Sequence, residues 1–242
     1  MHNAILGDSK TAYKQALPNM RMSGVIRAAG GRYGTVQVDG VGRIFGDISA
    51  AKGFRTNGVL NVEGRIVTPE LHMDGKLTAE GGLTAGSVRM DGIAKIGGAI
   101  SAEKLNLNGI LSAGGSVEAE SIDARGVMKV SGLLNAGSLA LGLTHKASSI
   151  GEIGAEQVKV RLLSGSKWSW LWEWAMPLSK PRLDGCLIEG DEIMLEYTHA
   201  DIVRGSRVTI GRGCKIGLVE YRDALHVHPS AEVLKEEKTN GC

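Results

Sequence analysis

"VRMDGIAKIGGAISAEKLNLNG", residues 88–109, holds one full period of this chain, from Asp91-Gly92 to Asn108-Gly109. Working outward from it, a glycine preceded by Asp, Asn or Arg recurs at Gly40, Gly58, Gly75, Gly92, Gly109 and Gly126 at an almost constant interval. A second column, Gly46, Gly64, Gly81, Gly98, Gly115 and Gly132, keeps the same interval. Two independent markers on one period mean a small structural unit stacked on copies of itself, a solenoid.

Between the glycines, apolar residues alternate with polar ones, which is a strand signal. One stretch carries Leu60 with Val62, Leu77 with Ala79 and Leu111 with Ala113; a second carries Ile66, Leu83, Ile100, Val117 and Leu134; a third carries Leu71 with Met73, Val88 with Met90 and Leu105 with Leu107. Three short strands per period fit one turn of a triangular β-helix, with tight corners where Asp-Gly and Asn-Gly pairs supply positive φ. Leucine-rich and ankyrin repeats need longer periods, and a left-handed hexapeptide helix needs a strict six-residue phase that is missing here. The expected fold is therefore all-β: a single-stranded right-handed parallel β-helix of about 17 residues per turn, right-handed because parallel crossovers are. Roughly ten layers make a rod about 50 Å long at the strand spacing.

Composition agrees. With 35 Gly, 43% hydrophobic and only 4% aromatic residues, the core is filled by small aliphatic side chains, as a narrow helix interior requires. The expected organisation is an N-terminal arm at 1–23, β-helix repeats at 24–163, a Trp-rich insertion at 164–182, C-terminal β-helix turns at 183–228 and a short disordered tail at 229–242. A β-helix ends in open strand edges that pair with another chain unless covered. Val25 and Ile26 at the first turn, and Val208, Ile210, Ile216 and Val219 at the last, are the expected polymerisation contacts. On that placement, a charge at Ile210 leaves the monomer folded and stops assembly.

The glycine-punctuated repeats from Val38 to Val160, with "IEGDEIMLEYTHADIVRG" at 188–205 and "VTIGRGCKIGLVEYRD" at 208–223, resemble the bactofilins, bacterial polymer-forming cytoskeletal proteins, and their long Firmicutes-type members in particular. The resemblance covers residues 24–228. It implies a right-handed β-helix that assembles end to end into nonpolar filaments without nucleotide, often at the membrane, as a scaffold in cell shape, envelope or motility-apparatus organisation. On that footing no catalytic residue, cofactor or metal is expected, and the partners are the chain itself, an anionic membrane surface, and envelope or motility proteins. The expected location is the cytoplasm, at the inner face of the membrane.

The phase breaks at "RLLSGSKWSWLWEWAMPLSKPRLDG", residues 161–185, which hold all 4 tryptophans, Trp168, Trp170, Trp172 and Trp174. The indoles are expected to form a compact aromatic surface that either packs on the rod or, with Leu171 in the contact set, meets a membrane interface or partner, since indoles favour the headgroup boundary and Arg161, Lys167, Lys180 and Arg182 flank it. The segment is too short and polar to span a bilayer. The 28 Lys+Arg against 26 Asp+Glu leave +2, with no basic run of the kind that binds nucleic acid.

Two alternatives keep their own expectations: a β-helix enzyme of acyltransferase or polysaccharide-lyase type, and a membrane docking protein that does not polymerise. His226 and His228 alternate but lack further ligands, His145 and His199 stand alone, and Glu80, Glu103 and Glu120 occupy outward corner positions. Cys186, Cys214 and Cys242 are too widely spaced for a zinc site and are expected to be free thiols.

Overall fold

The computed structural model describes residues 17–163 and 180–239. These form one ten-stranded sheet in chain order, with no helix among them. The strands are β1 (Met20–Val62), β2 (Ile66–Ala79), β3 (Leu83–Ile96), β4 (Ile100–Ala113), β5 (Val117–Leu143), β6 (Ser148–Leu162), β7 (Leu183–Leu195), β8 (Thr198–Ile210), β9 (Lys215–Val227) and β10 (Glu232–Lys238). Each pairs in parallel with the next. The result is a β-solenoid of about ten turns with roughly 17 residues per turn, as the glycine period requires.

Identical positions of successive turns lie in register. Ile66 pairs with Leu83, Leu83 with Ile100 and Ile100 with Val117, and all four are buried. The three apolar stretches per turn face one shared interior, with Leu60, Leu77, Met73, Met90 and Leu111 among its fully buried members. Among the described residues, Phe54 is the one buried aromatic of the core. Sequential stacking of this kind makes stability a sum over neighbouring turns, so the terminal turns differ from all others in having one neighbour.

The two glycine columns do different work. Gly40, Gly58, Gly75, Gly92, Gly109 and Gly126 have φ between 114° and 140°, and a Cβ at each would run into backbone of the glycine one turn earlier. In the second column only Gly46 has positive φ; Gly81 and Gly115 are needed because a Cβ would lie 2.6 Å from Arg65 N and 2.7 Å from Ala99 N. The positive-φ corner returns at Tyr197, φ 48°, and Gly213, φ 71°.

The pitch drifts beyond residue 130. Leu134 pairs with Ile153, a longer step than that from Leu83 to Ile100, and the extra residues form a loop that Ser148 ties back, its buried Oγ accepting from Met128 N at 3.1 Å. Leu183 pairs with Thr198 and Val203 with Val219, both shorter steps than those of the middle. These shorter turns are stitched on the outside by ion-pair ladders: Arg204 bridges Glu189 and Glu220 across three turns, and Arg207 pairs with Glu192. The guanidinium of Arg204 is held above its ordinary pKa mainly by its hydrogen bonds to Glu220 and Glu189.

Three expected boundaries change. The arm is shorter than 1–23, because β1 begins at Met20 and buries Met22; residues 1–16 lie outside the described residues. Of the insertion, 164–179 lies outside the described residues, whereas Arg182 already belongs to the rod, its carbonyl accepting from Ser148 N at 2.8 Å. The tail at 229–242 is not a disordered tail over its length, since β10 extends the ladder: Glu232 N donates to Cys214 O at 2.9 Å, Thr239 N to Tyr221 O at 2.8 Å, and Val233 stacks on Ile216.

Candidate functional site: the ends and flanks of the rod

The N-terminal end is apolar. Among the described residues, its first turn places Met20, Ile26 and Ala28 half-buried against the core and Met22, on the same turn, buried, while Arg21 and Arg27 alternate outward. Val25 does not belong to this stacking surface. It follows Gly24 as Val41 follows Gly40 and Val59 follows Gly58, and like them it points outward from the flank, 86% exposed. Of the pair expected at the first turn, Ile26 alone faces the end.

The C-terminal end lies further along the chain than the sequence suggests. Val208, Ile210, Ile216 and Val219 are all core residues, none more than 2% exposed. Val208 stacks under Leu225 and Ile210 under Val227, so β9 covers β8; Ile216 and Val219 stack under Val233 and Glu236, so β10 covers β9. The outward-looking end therefore consists of β10 together with Leu225 and Val227, both half-buried, on the part of β9 that β10 leaves uncovered. Sequence reasoning missed these residues because "EVLKEEK" has a single apolar residue in an inward position. The tryptophan contact set, Trp168, Trp170, Leu171, Trp172 and Trp174, lies outside the described residues.

One flank is hollowed by small side chains. Thr68, Ala85, Ala102, Ala119, Ala136 and Ala155 follow one another along the second stretch of successive turns, and over the last four runs a groove of about 740 Å³ edged by Glu118, Glu120, Glu156, Glu189 and Asp191. It follows the repeat without interrupting it. A second hollow, of about 550 Å³ near the N-terminal end, carries Lys52, Arg55, His72 and Arg89. Among the described residues there is no group of three or more His, Cys, Asp or Glu able to hold a metal, and no helix long and apolar enough to cross a membrane. His199 Nδ1 lies 3.6 Å from Asp184, His228 Nδ1 lies 2.9 Å from Ser230 Oγ, and His226 is exposed on β9.

Cys186 is exposed and Cys214 buried, the latter just before β9 with Sγ 3.4 Å from Leu195 O. Burial pushes the Cys214 thiol up from 9.0 to about 11. A raised folded-state pKa means the native chain keeps its proton after the unfolded chain has lost it. Stability is thus complete below pH 9 and falls as pH rises toward 11, by about 1.4 kcal/mol per pH unit. Urea titrations of wild type and Cys214→Ala between pH 8 and 11 check this: the wild type loses the extra increment and the variant does not.

Comparison with known proteins finds the chain similar to the uncharacterized protein YhbF of Bacillus subtilis (strain 168), 33% identical over 102 residues, which are 42% of this chain and 40% of that protein. It is also similar to the uncharacterized protein YhbE of the same organism, 46% identical over 56 residues, 23% of this chain and 24% of that protein. The chain thus spans less than half the length of these curated relatives. No family model matches the chain, and no solved structure matches it.

Proposed function

We propose that this chain is a non-enzymatic scaffold subunit, of the bactofilin kind its sequence resembles, that stacks end to end into filaments without nucleotide or metal. The observation that carries the reading is the N-terminal end: among the described residues, Met20, Ile26 and Ala28 form an apolar, half-buried set on the first turn of a parallel ladder. Such an edge offers unpaired backbone groups and an uncovered apolar interior to any chain with the same cross-section. A second copy has that cross-section by construction. The reading places the chain in the cytoplasm with itself as first partner; contact with an anionic membrane surface stays assigned to the tryptophan segment.

The acidic groove supports a second reading, a β-helix enzyme acting on a polysaccharide or an acyl carrier, because it gathers five carboxylates on one flank. Negative-stain electron microscopy of the purified protein, without nucleotide or metal, separates the two. Filaments or ribbons of uniform width are the expected result. Uniform small particles at all protein concentrations would remove the scaffold reading and make the groove the site to test.

A further inference from the structure

The two ends of the rod are chemically unlike, and the difference lies in one residue. Along the second stretch of each turn, the inward register position holds Ile48, Ile66, Leu83, Ile100 and Val117, then Leu134, Ile153, Ile188, Val203 and Val219. All ten are buried. The next member of that column, paired with Val219, is Glu236 in β10. Further along the strand, Lys238 pairs with Tyr221, in a column that holds Gly190 and Gly205 in the turns before. Both charges are exposed, and among the described residues no further strand lies beyond β10.

A copy stacked on β10 would bury the Glu236 carboxylate over Val219 and against the partner's inward side chains, and although Lys238 lies two residues on, no cation among the described residues is within ion-pair distance of it. Lys235 is engaged by Glu237 on the outer side, Lys215 by Glu232, and Arg204 by Glu189 and Glu220. An inward-pointing charge on an edge strand is a known way to keep that edge from pairing. Among the described residues, Met20, Ile26 and Ala28 at the N-terminal end are all apolar.

β10 is also lightly held. None of its side chains is buried, although the residues it covers, Ile216 and Val219, are 2% and 0% exposed. It is retained by ladder hydrogen bonds along Lys215–Tyr221 of β9 and by the Lys215–Glu232 pair, 2.9 Å apart at the surface. Local opening is easiest where few apolar contacts hold a strand. Displacing β10 uncovers a strand edge backed by Ile216 and Val219, apolar and charge-free, the counterpart of the N-terminal layer.

We infer that β10 is a gate on the C-terminal docking edge: docked, its Glu236 blocks stacking; displaced, it exposes the edge of β9 to the first layer of β1 from a second copy. The inference rests on the end-to-end assembly proposed above. It makes growth at the C-terminal end depend on a strand that must leave or lose its charge.

The test compares full-length wild type, Glu236→Val and Glu237→Val by pelleting and electron microscopy, with thermal melts to confirm folding. Glu237 pairs in register with the outward Glu220 and serves as the control position. Glu236→Val is expected to lower the critical concentration for assembly by about tenfold or more, the factor that relieving even a modest burial penalty gives, and Glu237→Val to leave it unchanged. Hydrogen exchange on the wild type should show β10 amides exchanging well ahead of those in β9. Wild-type filaments that Glu236→Val does not promote, or an equal effect of Glu237→Val, or β10 amides as protected as those of β9, would overturn the gate and leave end-to-end assembly standing. Small particles alone from wild type and both variants would instead bring down the assembly reading itself.

Discussion

Gly109→Val is expected to destabilise the rod by more than about 4 kcal/mol, a range that strain at a special φ combined with a clash against fixed backbone can reach. Gly109 sits at φ +138°, where a β-branched residue is strongly disfavoured, and its new Cβ would fall well inside contact distance of the Gly92 carbonyl oxygen. Relief is closed on the other side too, because Gly126 approaches the Gly109 carbonyl in the same way one turn later. The corner would have to open and the pairing of Asn108 with Asp91 and of Ile110 with Ile93 would go with it. Chemical denaturation reads the loss, and limited proteolysis should cut within β3 to β5 first. Gly151→Val is the matched control: nothing lies within 4 Å of a Cβ there and its φ is not in the left-handed region, so a change within about 1 kcal/mol is expected. Equal effects at both positions would mean that stacking distance does not select glycine at the corners.

The middle of the rod was legible because its physics is local and repeated. A constant phase forces Asp-Gly and Asn-Gly to the same corner in every turn, and alternation at Leu77, Ala79, Leu83 and Ala85 tells inward from outward without any long-range information. What the phase does not carry is the reason for each glycine. Gly92 is required by positive φ and Gly98 by the nearness of Gly82 N, 2.8 Å from its would-be Cβ, and both look alike in sequence. The ends were less legible for a related reason. Between Leu183 and Val219 the period shortens, as the pairs Leu183 with Thr198 and Val203 with Val219 show, so counting at the phase of the middle misplaces the last turns. A strand such as β10, with Val233 as its single apolar inward residue, resembles a solvated tail until its register against Ile216 and Val219 is known. The acidic groove was visible only in part: Glu120 shows as an outward corner residue, but the columns that bring Glu118, Glu156 and Glu189 beside it depend on the long step from Leu134 to Ile153 and on the excursion between β6 and β7.

Ile210→Asp separates the sequence reading of the C-terminal end from the structural one. If Ile210 were on the docking surface, the variant would fold normally and fail to assemble. In the structure Ile210 is 0% exposed, stacked between Leu195 below and Val227 above. Aspartate there loses the apolar burial of isoleucine, worth about 2–5 kcal/mol in core truncations, and adds an unpaired buried carboxylate, which costs several kcal/mol more. A solenoid distributes such a loss unevenly, because each turn is supported only by its neighbours. The turns beyond β7 are therefore expected to open together while β2 to β4, many turns away, keep their packing. Hydrogen exchange should show lost protection across β8, β9 and β10 with β3 unchanged, and any loss of assembly would follow from the melted end. Native protection throughout, with filaments abolished, would return Ile210 to the docking surface and overturn the structural reading of this end.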